Sequence, residues 1–182
     1  MKCTSMLLLL LILLSPGTGF AQAEKGEWKR PKHNGKITAE YDHANDRTKL
    51  ELGLMPVTCQ KDGCIFISLS SSFPGTKLKA PVDRIIFGLS IVTKTLKPFA
   101  EPKLVFRLDG EAMELGEMTF AGEVPAGEVT GLPYGIALTG DELAKIADAK
   151  KVEVEMGVFR FALGENQLNA IKDYNHQAHA VQ

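Results

Sequence analysis

Short runs of alternating apolar and polar residues recur along the chain from residue 37 onward. The apolar members of the first three runs stand two residues apart: Ile37, Ala39 and Tyr41; Leu50, Leu52 and Leu54; Ile65, Ile67 and Leu69. Successive side chains of a strand point to opposite faces, so each run predicts a strand with one buried face. Because such signals return about every ten residues, the pattern predicts an antiparallel sheet that can fold into a sandwich.

Two further segments extend this predicted sheet. Residues Val82–Thr93 include a dense apolar run of Ile85, Ile86, Phe87, Leu89, Ile91 and Val92, which predicts a central strand covered on both faces. In Lys103–Leu115, two strand-like stretches flank the dipeptide Asp109-Gly110. This dipeptide predicts a tight hairpin turn, because a type I′ turn needs positive φ at both central residues.

A second hairpin is predicted for Lys151–Leu163, with its turn at Met156-Gly157. This register pairs Val154 with Phe159, Val152 with Phe161 and Glu153 with Arg160. The four apolar residues then share the core face. Glu153 and Arg160 face water, and their opposite charges attract each other across the two strands. A slip by one residue would expose half of the apolar side chains, and this favours the chosen register.

The last quarter of the chain adds two short amphipathic helices. Thr139 and Glu142 have the spacing of a capping box, in which each side chain satisfies a free backbone N–H at the helix start. A final helix is predicted from Glu165 to Asn175. Both helices have narrow apolar stripes and must lie on a sheet face. The expected fold class is therefore α+β, mainly antiparallel sheet with two helices near the C-terminus.

Residues 1–23 are predicted to be a cleavable signal peptide. Lys2 supplies a positive charge, Met6–Leu14 is an apolar core, and Ala21-Gln22-Ala23 has the small residues that a signal peptidase recognises. As a helix this core spans roughly 14 Å, about half of a hydrocarbon layer, and is too short for a stable anchor. Cys3 precedes the core, which disfavours a lipid-modified bacterial lipoprotein.

The exported chain is expected to begin at Glu24 and to form one domain. Residues 24–35 form a polar N-terminal arm, 36–175 a single β-rich globular domain and 176–182 a C-terminal tail. The whole chain has 21 basic and 22 acidic residues, which are interspersed, so it lacks the positive footprint that nucleic-acid binding requires. No apolar stretch after the leader is long enough to span a bilayer, and stable membrane insertion is not expected after cleavage.

Cys59 and Cys64 are the two cysteines that follow the leader, and they flank Lys61-Asp62-Gly63. In an exported protein such a pair favours a structural disulfide, here across the tip of a hairpin. Free thiols, a metal site or a redox pair are the alternatives. A metal site would need more ligands nearby, and a redox pair usually has two intervening residues at a helix N-terminus.

Three segments of the predicted domain carry a family resemblance. They are Lys103-Leu104-Val105-Phe106-Arg107-Leu108-Asp109-Gly110, Leu143-Ala144-Lys145-Ile146-Ala147-Asp148-Ala149, and Met156-Gly157 with Phe161-Ala162-Leu163. With these mainly apolar motifs, residues 36–175 loosely resemble a family of small, uncharacterised secreted bacterial proteins. The resemblance implies a bacterial exported domain, periplasmic or extracellular. The family has no assigned activity, so it implies no catalytic residue.

Two clusters contain residue types that bind metal ions. His176 and His179 can share one helix face, but they stand at a polar C-terminus, where a solvated tail is the simpler interpretation. Asp42, Asn45 and Asp46 carry oxygens of the kind that Ca²⁺ prefers. Their spacing differs from an EF-hand loop, and such residues favour turns for their own hydrogen bonds. The sequence therefore predicts no metal ligand.

Residues suited to hydrolysis occur without their usual context. Ser70–Ser72 are adjacent serines, and His43 is the candidate base, but no Gly-x-Ser-x-Gly motif surrounds them. The sequence therefore predicts no catalytic residue.

Two further sets of residues receive structural interpretations. The acidic residues Glu111, Glu114 and Glu117 recur every three positions across a predicted strand and its exit, which favours solvated carboxylates. The glycines Gly88, Gly110 and Gly116 lack the strand, loop and helix order of a phosphate-binding loop. No cofactor-binding residue is predicted.

These observations favour a non-enzymatic exported protein that binds an unidentified protein or small molecule, or serves as an accessory protein of the cell envelope or medium. The alternative is an enzyme, hydrolase-like, whose site is assembled from loops. A deep pocket that joins two or more of His33, His43, Asp42 and Asp46 would favour the enzyme. A large exposed apolar patch would favour a protein partner.

We expect the purified exported protein to begin at Glu24, because Ala21-Gln22-Ala23 matches a cleavage site. Intact-mass measurement checks this prediction. A mature protein that retains Met6–Leu14 would contradict both export and cleavage.

Overall fold

The computed structural model describes residues 28–60, 63–95 and 97–181, and the predicted leader lies outside them. Within these residues the chain forms strands and helices in the order β1 (Ile37–Asp42), β2 (Arg47–Gln60), β3 (Gly63–Pro74), β4 (Ile85–Thr93), β5 (Lys103–Leu108), β6 (Glu111–Glu117), β7 (Thr119–Phe120), β8 (Val124–Ala126), β9 (Val129–Leu138), α1 (Gly140–Asp148), β10 (Val152–Met156), β11 (Phe159–Ala162) and α2 (Glu165–His179). No helix in this part of the chain is both long and apolar enough to cross a membrane.

The strands form two antiparallel sheets. The large sheet has seven strands in the order β1-β2-β3-β4-β9-β7, and β8 also pairs with β9. The small sheet has four strands in the order β11-β10-β5-β6. The excursion between β4 and β9 supplies two strands of the small sheet and the short strands β7 and β8. This arrangement confirms the predicted α+β class dominated by antiparallel sheet.

Local turn and cap signals in the sequence correspond to observed geometry. Asp109 and Gly110 have φ values of 52° and 99°, as a type I′ turn requires, and they join β5 to β6. At the start of α1, Thr139 accepts a hydrogen bond from the backbone N–H of Glu142, and the Glu142 carboxylate accepts one from the Thr139 N–H. The predicted hairpin and capping box are both confirmed.

The inner face of the large sheet packs against the small sheet. Phe87 of β4 and Phe106 of β5 meet edge to face, with ring centroids 5.2 Å apart and planes at 77°. Both side chains are fully buried, so this contact lies at the centre of a sandwich-like core. Edge-to-face geometry suits aromatic pairs because the positive ring edge meets the negative face of its neighbour.

Helix α2 covers another part of the same inner face and contacts β2 and β3. Tyr174 is fully buried there, and its hydroxyl lies 2.7 Å from Ser71 Oγ. Burial raises the pKa of this hydroxyl, which therefore stays protonated. Ala170 and Ile171 of the same helix join the core. The small sheet and α2 thus cover different parts of the inner face of the large sheet.

The register of the hairpin from Lys151 to Leu163 differs from the prediction. Val154 pairs with Phe161, and Met156 pairs with Phe159, because the turn lies at Gly157 and Val158. Gly157 supplies the positive φ of 57° at this turn. The shift moves each partner by two residues, so the apolar residues keep their predicted face.

The predicted exposure of this hairpin also needs correction. Val152 and Val154 are fully buried, but Phe159 and Phe161 are only half-buried at the margin of the core. These two rings line a groove of about 240 Å³ between β11 and the ends of β3 and β4. Phe161 therefore contributes less buried surface than a central core residue.

Strand β4 was expected to be covered on both faces, and this expectation is wrong. Ile85, Phe87 and Leu89 are buried, whereas the alternate residues Ile86 and Gly88 are only half-buried on the outer face. A Cβ atom at Gly88 would lie 2.3 Å from Ser68 Oγ, so the neighbouring strand already fills the space above it. Around Gly88, Ser68 and Ser90, the outer face of the large sheet is therefore built from small residues.

The final helix is longer than predicted. It runs from Glu165 to His179 rather than ending at Asn175, so the first residues of the predicted tail are helical. Val82 donates its backbone N–H to the carbonyl oxygen of Ala178 over 3.0 Å. This bond ties the last turn of α2 to the segment before β4, which explains why the helix does not end earlier.

Phe106→Ala should lower the free energy of unfolding by about 3–5 kcal/mol, since it removes a fully buried ring and leaves a cavity. Phe161→Ala should cost about half as much, because its ring is already half-exposed. Denaturant titration of both variants measures the two costs. Equal costs would contradict the observed difference in burial.

Candidate functional site

Cys59 and Cys64 form the predicted disulfide. They are directly paired at the ends of β2 and β3, so the bond staples this hairpin. Closing a loop of this size contributes about 2 kcal/mol on the chain-entropy model. The pair therefore reinforces the turn end of two strands that hydrogen bonds already hold together.

A broad depression lies on the outer face of the large sheet. It has a volume of about 750 Å³, and its lining consists of Asp42, Asn45, Arg47, Lys49, Ser70, Ser71, Ser72, Arg84 and Ile86. We call this depression the outer basin. Three of its side chains are cationic, one is acidic and one is aliphatic. Paired strands form its floor, and a rigid sheet holds polar groups more accurately than a loop does.

The backbone alternation of β3 decides which serine hydroxyls face the outer basin. Ser71 points to the inner face, where it meets Tyr174, so Ser70 and Ser72 point to the outer face. Arg47 donates from Nη2 to Ser72 Oγ over 3.0 Å and to the Ser72 carbonyl over 3.1 Å. These bonds hold the Arg47 guanidinium at the rim of the basin.

Two further cations face the outer basin. Lys49 Nζ lies 2.8 Å from Glu51 Oε2, and both side chains are exposed, so this ion pair is open to water and weak. Arg84 is exposed just before β4 and has no hydrogen bond or ion pair with any residue that the structure describes. The Arg84 charge is therefore available to an incoming group.

Asp42 and Asn45 form a self-contained turn at the margin of the outer basin. The Asp42 carboxylate accepts hydrogen bonds from the Ala44 N–H over 2.8 Å and from Asn45 Nδ2 over 2.6 Å. The side-chain hydrogen bond from Asn45 is the main reason why the pKa of Asp42 is lowered. Tyr41 donates its hydroxyl to Asp46 over 2.7 Å. These oxygens accept hydrogen bonds from within the turn, as was predicted from the sequence of this cluster.

All four histidines of the chain make contacts that do not involve a serine. His43 meets Tyr41 edge to face at 4.6 Å, and His176 stacks on Trp28 at 4.1 Å. His179 Nδ1 lies 2.8 Å from the Asn175 carbonyl oxygen. His33 pairs with a carboxylate, described next. The candidate combination of Ser70–Ser72 with His43 therefore does not assemble a hydrogen-bonded pair among the described residues.

A buried carboxylate, Asp173 of α2, joins the N-terminal segment to the body of the protein. His33 Nε2 lies 3.0 Å from Asp173 Oδ2, and Arg30 donates from Nε to the same oxygen over 2.7 Å. The side chains of His33 and Asp173 are only 3% and 2% exposed. Burial raises the pKa of Asp173, but hydrogen bonds from His33, Arg30 and Gln177 outweigh it, so the pKa lies below its usual value.

Other contacts extend this attachment along residues 28–35. Asn34 donates its N–H to Asn166 Oδ1 over 2.9 Å, and Asn169 donates to the Lys32 carbonyl over 3.0 Å. The backbone at Gly35 lies so close to β2 that a Cβ atom there would be 2.6 Å from Met55 Sδ. The described part of the predicted arm therefore packs along α2 and forms no regular secondary structure.

Several charged side chains of the small sheet, on β5, β10 and β11, form ion pairs. Arg160 lies 2.7 Å from Glu153 and 3.3 Å from Glu155, and Arg107 lies 2.7 Å from Glu155. A hydrogen bond from Lys151 and a second from Arg160 lower the pKa of Glu153 to about 2. Glu153 contacts Arg160 diagonally rather than directly across the strands, as the corrected register requires.

The remaining candidate residues have structural positions. The acidic set Glu111, Glu114 and Glu117 is exposed along the edge strand β6, in agreement with solvated carboxylates. The three glycines lie apart: Gly88 is in β4, whereas Gly110 and Gly116 have positive φ values at a turn and in β6. Within residues 28–60, 63–95 and 97–181, no group of three or more His, Cys, Asp or Glu side chains could hold a metal ion.

Comparisons with protein-family models, with curated proteins and with solved structures give no match for this chain. The resemblance to small secreted bacterial proteins therefore stays a prediction from the sequence.

Sequence reasoning missed both the outer basin and the Asp173 cluster. The small residues at alternate positions of β3 and β4, Ser68, Ser70, Gly88 and Ser90, were the available signal for an open outer face. Asp173 lies in a helix whose other inward residues are apolar, and a carboxylate in such a stripe signals a paired charge. Neither signal identifies the distant residues that complete the site.

Asp173→Asn should lower the free energy of unfolding at pH 7 by about 3 kcal/mol, because it removes the charge that pairs with Arg30 and His33. A lowered carboxyl pKa stabilises the fold above the unfolded value of about 4, and this gain is lost as the pH falls through the folded value. Wild type and variant should therefore converge in acid.

Asp148→Asn is the matched control, because Asp148 is an exposed carboxylate at the end of α1. It should change stability by less than about 0.5 kcal/mol. Denaturant titrations across pH 2–7 measure both variants. If Asp173→Asn is as stable as Asp148→Asn at pH 7, the buried cluster does not stabilise the fold.

Proposed function

We propose that this chain is an exported, non-enzymatic binding protein of the cell envelope or medium, and that its ligand binds in the outer basin. The predicted leader and the disulfide between Cys59 and Cys64 support export, since disulfides persist in oxidising compartments. The size of the depression, about 750 Å³, suits a small organic ligand or one part of a larger one.

The single observation that carries this proposal is the convergence of free polar groups on a rigid surface. Ser70 lies in β3, and Arg84 directly precedes β4. Both side chains line the outer basin, and neither has a hydrogen-bond partner among the described residues. On the small sheet, by contrast, Glu153 and Arg160 satisfy each other. Unsatisfied donors on a preformed surface are what a binding site presents to its ligand.

Binding is favoured over hydrolysis by the positions of the histidines. A serine nucleophile needs an adjacent base within hydrogen-bond reach. His33 is bound to Asp173, and His43 rests on Tyr41. Ser70 and Ser72 instead share the basin with cations, which attract a ligand but do not remove a proton from a hydroxyl.

Ser70→Trp should abolish ligand capture, because an indole at this half-buried position fills the basin without entering the core. Ser90→Trp is the matched control, since Ser90 lies on the same sheet face but outside the lining of the basin. Immobilised mature wild type and both variants are incubated with fractionated envelope extract, and retained components are identified by mass spectrometry.

A component retained by wild type and Ser90→Trp but lost by Ser70→Trp supports the proposal. Equal retention by all three proteins contradicts it. Turnover of an ester substrate that disappears in Ser70→Ala or Ser72→Ala would establish the hydrolase alternative instead.

A further inference from the structure

The outer basin has a net positive charge, and its cationic side chains differ in whether a carboxylate pairs with them. Arg47, Lys49 and Arg84 face the basin, against Asp42 in its lining. The Asp42 carboxylate already accepts hydrogen bonds from its own turn. Lys49 forms an ion pair with Glu51, whereas the described bonds of Arg47 go to the uncharged Ser72. Among the described residues, an incoming anion therefore meets two cations without an ion pair, Arg47 and Arg84, and one that is partly neutralised, Lys49.

Several N–H and O–H donors remain free on this surface. Arg47 uses Nε and Nη2 for Ser72, which leaves Nη1. A guanidinium has five N–H groups, and Arg84 spends none of them on the described protein. The Ser70 hydroxyl likewise has no described partner. These donors come from β2, from β3 and from the segment before β4, so three separate parts of the chain supply them.

We propose that the outer basin binds a phosphate ester group carried by a larger organic molecule, an inference that rests on the proposed function of the basin. A phosphate presents oxygens in a tetrahedral arrangement and accepts donors from several sides, whereas a carboxylate accepts them in one plane. Arginine suits phosphate because its planar donors form bidentate hydrogen bonds. Ser70 adds a hydroxyl donor from the sheet floor.

The size of the basin leaves room for more than a bare phosphate ion. A volume of about 750 Å³ is comparable to the clefts that hold drug-sized molecules. Ile86 supplies an apolar surface, and Asn45 also lines the basin. The organic part of the ligand occupies this remaining space. A soluble sugar phosphate and a phospholipid headgroup share the required chemistry.

Calorimetric titration of the mature protein with glycerol 3-phosphate, and co-sedimentation with vesicles of phosphatidylglycerol or phosphatidylcholine, test this proposal. Arg84→Ala should weaken the observed binding by at least about tenfold, since it removes a charged hydrogen-bond donor. Arg84→Lys should retain part of the affinity because it keeps the charge. Lys145→Ala makes the same charge change on exposed α1 and should leave binding unaltered. Added salt should weaken binding.

If the protein binds glycerol 3-phosphate but prefers neither kind of vesicle, the ligand is a soluble phosphate ester. If it binds only phosphatidylglycerol vesicles, the ligand is a lipid headgroup. Absence of both in wild type overturns the phosphate assignment, as does equal affinity of wild type and Arg84→Ala. If Ser70→Trp still abolishes capture of a ligand without phosphate, the proposed function stands and this inference fails. If phosphate binds equally to Ser70→Trp, the basin is the wrong site.

Discussion

One-sided burial of the large sheet is the constraint on which the rest of the structure depends. Its strands send alternate side chains to opposite faces, and the apolar set on the inner face must be covered. Phe106 of the small sheet covers Phe87, and Tyr174 of α2 covers the region around Ser71. Two separate elements therefore share one surface, and their placement decides where the remaining charged groups can lie.

The two faces of the large sheet have different electrostatic roles. On the inner side, α2 carries Asp173 into a buried position, where only paired charge is tolerated, and Arg30 and His33 provide that pairing. On the outer side, water screens every charge, so Arg84 can remain unpaired at little cost. The fold thus satisfies its buried charge and leaves the exposed charge of Arg84 available to a ligand.

Local signals in the sequence predicted the parts of the fold that depend on neighbouring residues. Asp109 and Gly110 form the turn between β5 and β6. Thr139 and Glu142 cap the start of α1. The hairpin register was wrong because the turn at Gly157 and the turn one residue earlier place the same apolar residues on the same face.

Contacts between distant residues could not be predicted in this way. His33 and Asp173 are 140 residues apart, and no periodic pattern links them. The outer basin likewise exists only because β3 pairs with both β2 and β4. This pairing brings Arg47, Ser70 and Arg84 together, and the sequence of each strand alone does not specify it.

The attachment of the N-terminal segment to α2 also has a consequence for how the chain folds. Arg30 and His33 contact a helix that lies at the opposite end of the sequence. Contacts of such long range require the closure of a very large loop, which slows folding. Because a chain is synthesised from its N-terminus, Arg30 and His33 cannot complete this contact until α2 has been made. The N-terminal segment therefore stays unattached for most of the time that synthesis takes.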